Sequence, residues 1–306
     1  ILVGLIVIAM PVGWFLARRA LAGVQEVTNT ANEISHGSLE RRVPTTGWHD
    51  EIDQLAVTIN RMLGRIQALV EGMKATNDNI AHELRSPITR IRGLAETTLT
   101  SASSNDDYQD MAASTIEESD RMLGMINTML DIAEAEAGVI NLDVTSFNFA
   151  AMLRKLYELY EPAALEKRLH VAMEAPEITM VCGDLQKLQR VAANLLDNAV
   201  KYTPRGGAIT LSLVPSGPDA KFCIRNSGPG IAPEDIPHIF ERFYRADKSR
   251  SGSGNGLGLS LVHAIVHAHG GQITAQSVVD HETTFTVVLP TASRKPLSRA
   301  LQITNL

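Results

Sequence analysis

A histidine followed directly by a glutamate, His82-Glu83, lies inside the run Asn79-Ile80-Ala81-His82-Glu83-Leu84-Arg85-Ser86-Pro87. Neutral imidazole is a competent nucleophile near neutral pH, and an adjacent carboxylate can orient the ring or accept its proton. The pair therefore suits attack on an electrophile. A helix would position it: Ile80, Leu84, Ile88 and Ile91 recur at helical spacing and predict a buried stripe, with His82 about 200° around the helix from it. The ring is expected in solvent. On these residues alone a plain surface histidine is the simpler reading, and the case for chemistry depends on what the rest of the chain supplies.

A second set of residues suits phosphate. Asn194, Asn198 and Lys201 fall at i, i+4 and i+7 on one face of a helix whose other face carries Leu188, Val191, Leu195 and Ala199, and Asp184 stands where it can cap that helix. Asparagine is a mediocre helix former. Its amide oxygen suits a hard cation such as Mg2+, and the lysine ammonium suits phosphate; a solvated polar face is the alternative. Two glycine clusters follow, Asn226-Ser227-Gly228-Pro229-Gly230-Ile231 and Gly252-Ser253-Gly254-Asn255-Gly256-Leu257-Gly258-Leu259. Glycines let backbone amides approach phosphate oxygens, and a helix beginning at the second cluster adds a favourable dipole. Neither cluster is a Walker loop or a dinucleotide fingerprint. Singly each is an ordinary loop, and together in this order they are far more specific.

The elements that must hold these groups can be read from the remaining pattern. An apolar run over 1–17 stops at Arg18-Arg19 and reads as the end of a membrane helix, with the following residues on the cytoplasmic side. Val24, Val27, Ala31 and Ile34 step as a helix that His36-Gly37-Ser38 breaks, Pro44 and Gly47 mark an extended connector, and Asp50-Glu51 opens a second helix. Ile52, Leu55, Ile59, Met62, Ile66, Leu69 and Met73 make a heptad seam, which predicts a coiled coil and a dimer. The spacing shifts at Ile80-Leu84-Ile88, a stutter, and Pro87 predicts a kink. After a polar turn over 101–105, Tyr108, Ala112, Ile116, Leu123, Ile126, Leu130 and Ala133 predict a helix ending near Gly138. That gives an antiparallel hairpin, and two hairpins form a four-helix bundle.

Beyond Asn141, the alternating sets Ile209-Leu211-Leu213, Phe222-Ile224 and Phe285-Val287-Leu289 predict a sheet with helices packed on one face, an α/β sandwich. The net charge of -6 argues against nucleic-acid capture. Cys182 and Cys223 show no ligand spacing and read as core residues in a reducing compartment. His263, His267 and His269 read as structural, and 292–306 as a loose tail.

The helix, connector, Asp-Glu-Ile and helix over 18–70 resemble a HAMP relay. The hairpin over 71–138, carrying His82-Glu83-Leu84-Arg85-Ser86-Pro87, resembles the dimerisation and phosphoacceptor domain of sensor histidine kinases. Over 139–291, Asn194-Leu195-Leu196-Asp197-Asn198-Ala199-Val200-Lys201-Tyr202, the first glycine cluster, Phe240-Glu241-Arg242-Phe243-Tyr244-Arg245 and the second cluster resemble their catalytic ATP-binding domain, in the fold shared with gyrase, Hsp90 and MutL ATPases.

The resemblance implies that His82 accepts the γ-phosphoryl group of ATP with Glu83 as base, and passes it to an aspartate on a response regulator. It makes Ser86 the candidate for a phosphatase role, where the family commonly has threonine or asparagine. It assigns Mg2+ to Asn198, with Asn194 beside the phosphates and a second candidate ligand, Lys201 on the phosphates and Tyr202 near adenine. Asn226 stands where the family usually has an adenine-binding aspartate. Gly228, Gly230, Gly254, Gly256, Leu257 and Gly258 would line the nucleotide, and Arg250, in a lid over 245–253, would contact phosphate. A homodimer in the inner membrane of a bacterium is implied, with residues from about 18 onward cytoplasmic. The alternatives are a phosphatase-biased enzyme and a catalytically inactive membrane relay.

Overall fold

The computed structural model describes residues 41–45, 51–101, 104–246 and 255–291, together with scattered helical positions between 10 and 30. Most of the apolar run, the break at His36-Gly37-Ser38 and the tail over 292–306 lie outside the described residues. Among the described residues no helix is long and apolar enough to cross a membrane. The chain divides into two compact units, Ile1–His82 and Glu83–Leu306, and the division falls inside one long helix.

In the first unit, helix α1 (Glu51–Ser101) opens where Asp50-Glu51 predicts, with Glu51 and Asp53 in its first turn. Carboxylates there favour the positive end of the helix dipole. Asn60 fastens the connector to the helix: its Oδ1 accepts the Val43 N–H at 2.8 Å and its Nδ2 donates to the Val43 carbonyl at 2.8 Å. Both backbone groups of a buried residue are thus satisfied by one side chain. Asp53, Ala56, Asn60 and Leu63 step by three and four and share a face, and apart from half-buried Asn60 they are buried. The predicted seam runs beside that face and stays open in one copy, with Leu55, Met62, Ile66 and Met73 exposed.

The second unit begins with the rest of α1, from Glu83, and continues into α2 (Asn105–Glu136), which the Arg90–Glu118 ion pair ties back to α1. Ser104 caps α2: its hydroxyl accepts the Asp107 N–H at 3.3 Å and the Asp107 carboxylate accepts the Ser104 N–H at 2.9 Å. That reciprocal pair satisfies two otherwise orphaned donors and starts the helix sharply. Pro87 lies within a continuous α1 and is itself buried, whereas Ile88, expected in the buried stripe, is exposed. Ile116, Leu123 and Leu130 of α2 are likewise exposed, at 62%, 57% and 56%. Two helices cover only one side of each other, so this apolar face needs a further layer.

The sandwich follows. In chain order it comprises β1 (Val144–Asn148), α3 (Phe149–Glu166), β2 (His170–Glu174), β3 (Met180–Asp184), α4 (Leu185–Tyr202), β4 (Ala208–Ser216), β5 (Asp219–Ser227), α5 (Gly258–Ala268), β6 (Gln272–Val278) and β7 (Glu282–Pro290). The main sheet has the order β2-β4-β5-β7-β6, and β1 pairs with β3 in a separate ribbon. Only β2–β4 is parallel in the main sheet; the other pairings are antiparallel. Ile209, Leu211, Leu213, Phe222, Ile224, Phe285, Val287 and Leu289 are all buried, as the period of two predicts, and Leu153, Leu188, Leu195, Leu261 and Ile265 cover them from the helices.

The hairpin contributes to the same core. Met125 and Ile132 of α2 join the sandwich cluster, and α2 packs along α5. Ile132 is completely buried. Truncating a fully enclosed aliphatic side chain costs about 2–5 kcal/mol, transfer and cavity terms together, so Ile132→Ala is expected to lower the denaturant midpoint of this unit. An unchanged midpoint in urea titration would show that α2 merely lies against the sandwich.

Candidate active site

His82 is exposed on α1, with Glu83 beside it half-buried. One turn on, Ser86 is exposed and its Oγ accepts a hydrogen bond from Arg90 Nη1 at 3.0 Å. Arg90 also grips Glu118 of α2 with two parallel bonds of 2.9 Å, which hold the Glu118 carboxyl below the usual carboxylate range. The expected exposure of His82 is therefore observed.

The polar face with Asn194, Asn198 and Lys201 is built on α4. Asp184 caps this helix by accepting the Lys187 N–H at 3.0 Å, and it accepts the Asp143 N–H at 3.1 Å as well. Burial pushes the Asp184 carboxyl up, but those backbone donors outweigh it and hold the group below its ordinary value. The Asp184 N–H in turn donates to His269 Nε2 at 3.0 Å, and His269 Nδ1 lies 2.8 Å from the Ile265 carbonyl. A carbonyl can only accept and an N–H only donate, so the ring is a neutral Nδ1–H tautomer.

Burial depresses the His269 pKa below 6.5. A group neutral in the fold binds its proton in the unfolded chain first, so its contribution is complete above that value and is lost as pH falls below it. The thermal midpoint is expected to drop on acidification below about pH 6.5, and His269→Gln is expected to flatten that drop. Identical slopes for the two proteins would exclude His269 as the source.

Asn194, Asn198 and Lys201 are each half-buried on α4. Asn194 Nδ2 donates to the Arg190 carbonyl at 2.8 Å, which orients the amide, and a Cβ added at Gly258 would meet Asn194 Oδ1 at 3.0 Å. Helix α4 therefore abuts the first residue of α5. At its other end, a Cβ on Gly228 would lie 2.8 Å from the Tyr202 carbonyl, so the first glycine cluster also touches α4. Tyr202 is exposed, with Lys201 Nζ 5.2 Å from its ring centroid. Asn226, at the end of β5, is buried and its Nδ2 donates to the Ser227 carbonyl at 3.2 Å.

Gly230 and Gly256 combine a left-handed backbone with contacts that leave no room for a side chain. Gly230 has φ +70 and a Cβ there would meet the Val278 carbonyl oxygen at 2.5 Å, while Gly256 has φ +65 and would meet the Phe243 carbonyl carbon at 2.6 Å. The Phe243 N–H donates to the Gly256 carbonyl at 3.0 Å, joining the second cluster to the Phe240–Arg245 segment. In that segment the Tyr244 hydroxyl donates to Asp235 Oδ1 at 2.5 Å, which pushes its pKa up to about 12. Leu257 is buried, so any part it takes in the site falls to its backbone, and α5 has no side-chain cap there to occupy its first N–H groups. Arg250 and Gly254 lie outside the described residues.

The result is a polar floor of two carboxamides and an ammonium, bordered at both ends by close-packed glycine backbone. Amide oxygens with backbone N–H groups suit a polyphosphate and its divalent cation. The three histidines do not converge: His269 is structural, His263 and His267 stack on α5 at 6.1 Å, and among the described residues no three His, Cys, Asp or Glu side chains could hold a metal.

The ion pairs that tie α2 to the sandwich escaped the sequence reading. Asp131 of α2 pairs with both Arg190 and Lys187 of α4, and Arg190 also donates to Thr128 Oγ1 at 2.6 Å. Glu136 pairs with Arg242. These partners are far apart in sequence, and no local period marks them.

Residues 15–68 match the HAMP domain, 73–138 the His Kinase A (phospho-acceptor) domain, and 183–293 the histidine kinase-, DNA gyrase B-, and HSP90-like ATPase family. The probable sensor protein PcoS of Escherichia coli is 32% identical over 276 residues, covering 90% of this chain and 59% of its own length. The chain spans between 50% and 59% of the first curated relatives it matches. Among solved structures, the Acinetobacter baumannii histidine kinase AdeS is 25% identical with a TM-score of 0.58, covering 69% of this chain and 98% of that one. Full-length ShkA in complex with AMPPNP is 26% identical with a TM-score of 0.55, covering 72% of this chain and 47% of that one.

Proposed function

Because this chain belongs to the sensor histidine kinases of two-component systems, we propose that it phosphorylates itself on His82 from ATP and passes the group to an aspartate of a response regulator. One observation carries the reading: α4, which carries Asn194, Asn198 and Lys201, meets both glycine clusters, Gly228 at the Tyr202 carbonyl and Gly258 at Asn194 Oδ1. That ATP-type site occurs in a chain whose exposed histidine is followed by a carboxylate. ShkA, solved with the ATP analogue AMPPNP, is consistent with nucleotide at such a site.

In the proposed reaction an imidazole nitrogen of His82 attacks the γ-phosphorus of ATP, the bond to the bridging oxygen breaks, and ADP leaves with that electron pair. Glu83 takes the imidazole proton. Phosphoryl transfer needs positioning and charge neutralisation more than covalent assistance. Lys201 would contact the phosphates, Tyr202 would pack near adenine, and Asn226 would offer an amide oxygen to the adenine amino group. Mg2+, held by Asn198 with Asn194 beside it, would neutralise charge developing on the phosphates. Arg250 and Gly254 would join from the lid. Ser86, four residues after His82, would orient a water for dephosphorylating the regulator.

The exposed faces of α1 and α2 suit a second copy of the chain, giving a four-helix bundle over 71–138 that follows a relay over 18–70 in the sequence. The sandwich over 139–291 would deliver the nucleotide, and the apolar run over 1–17 would anchor the dimer in the inner membrane. The test uses ATP labelled in its γ-phosphate. Label should enter the purified chain with Mg2+, withstand alkali, be lost in acid as a phosphoramidate is, and move to a receiver domain. Tight ATP binding with no label would replace this reading by a non-catalytic relay.

A further inference from the structure

The hydroxyl of Ser86 is held differently from others on the hairpin. Thr89, Thr100 and Ser119 each donate to the carbonyl four residues earlier, at 2.7 to 2.9 Å, and Thr128 does so while also accepting from Arg190. Such back-bonding is the ordinary resting place of a helical hydroxyl, and it consumes the proton. Ser86 instead accepts, from Arg90 Nη1 at 3.0 Å. Arg90 is itself fixed, since its Nε and Nη2 make the two 2.9 Å bonds to Glu118, whose side chain is only 13% exposed. A bidentate guanidinium–carboxylate pair is geometrically rigid in a way a lysine pair is not. His82, Ser86 and Arg90 stand at i, i+4 and i+8, along one strip of α1.

We propose that Arg90, anchored by Glu118, is a positioning residue for dephosphorylation of the regulator: it occupies a lone pair of Ser86 Oγ, so that the serine proton points outward to an attacking water. The inference rests on the reading of Ser86 given above. In the step itself the water oxygen bonds to phosphorus and the phosphorus–acyl oxygen bond breaks. Its electron pair returns to the regulator's aspartate, and the water proton leaves to solvent with inorganic phosphate. Arg90 touches none of the reacting atoms. Its removal frees Ser86 to turn back onto the His82 carbonyl.

The experiment uses the full chain and a receiver-domain protein first phosphorylated by the wild type, and follows loss of its phosphate alongside autophosphorylation of His82. Arg90→Ala and Glu118→Gln should each slow dephosphorylation by about tenfold, the worth of one charge-assisted hydrogen bond, with autophosphorylation unchanged. Arg90→Lys, which reaches one partner but not both, should recover part of the loss. Adding Arg90→Ala to Ser86→Ala should slow dephosphorylation no further. Equal loss of both activities in Arg90→Ala, or an additive double variant, would make Arg90 a plain hairpin brace and overturn the proposal. Normal dephosphorylation by Arg90→Ala with impaired Ser86→Ala would overturn it while leaving the Ser86 reading intact. Normal dephosphorylation by Ser86→Ala would remove that reading and the inference with it.

Discussion

Replacing His82 by glutamine is expected to abolish transfer of the terminal phosphoryl group from ATP to the chain while leaving nucleotide affinity as it was. Glutamine keeps the size and polarity of the side chain, but its amide nitrogen has no available lone pair, so no nucleophile remains at that position. The site is exposed, and surface substitutions of this kind change stability by no more than about 0.5 kcal/mol. Any loss of label is therefore chemical rather than structural. The check is a paired measurement, label incorporation and equilibrium binding of a fluorescent ATP analogue. Wild-type labelling of the glutamine protein would remove His82 from the reaction and direct attention to another acceptor.

Gly256→Val should produce the second large effect, this time on binding. The residue has φ +65, and a side chain there would drive into the Phe243 backbone, with contacts of 2.6, 2.8 and 2.9 Å to its carbonyl carbon, Cα and carbonyl oxygen. Backbone atoms cannot yield as the end of a flexible side chain can, and a β-branched residue in the left-handed region adds roughly 1–2 kcal/mol of its own. The second glycine cluster must shift, and with it the start of α5 that touches Asn194. ATP affinity is expected to fall by at least about tenfold, the equivalent of 1.4 kcal/mol. The core packing of α5 through Leu261 and Ile265 should preserve the fold. Circular dichroism would confirm that, and calorimetric titration would measure the binding. Unchanged affinity would mean that the nucleotide site lies elsewhere on the sandwich.

The local part of this architecture was legible in the residues themselves. Period-two runs gave β4, β5 and β7, the apolar stripe gave α4, and Asp184 was placed as its cap because a side-chain acceptor before a helix has one obvious use. Exposure of His82 followed from its phase relative to Ile80 and Leu84. The error at Ile88 has a physical cause: spacing shows which face is apolar, but not whether one copy of the chain can cover it. The clamp between Asp131 and Arg190 was invisible, because charged residues carry no period and meet only after the chain has folded. So too was the neutral His269 beneath Asp184, since a histidine's burial depends on the strand packed over it. Contact between α4 and both glycine clusters could be suspected from their order, but the close approaches at Gly228 and Gly258 needed the fold.

Where Met125 and Ile132 go has a practical consequence for dissecting this protein. A nucleotide-binding fragment cut at the end of the hairpin would leave two core residues behind on the discarded piece, and would bare the groove along α5 that they fill. It would also strand Arg190 and Lys187 without the carboxylate of Asp131. Such a fragment is expected to be sticky and easily melted, whereas one beginning near Glu118 would carry its own stopper.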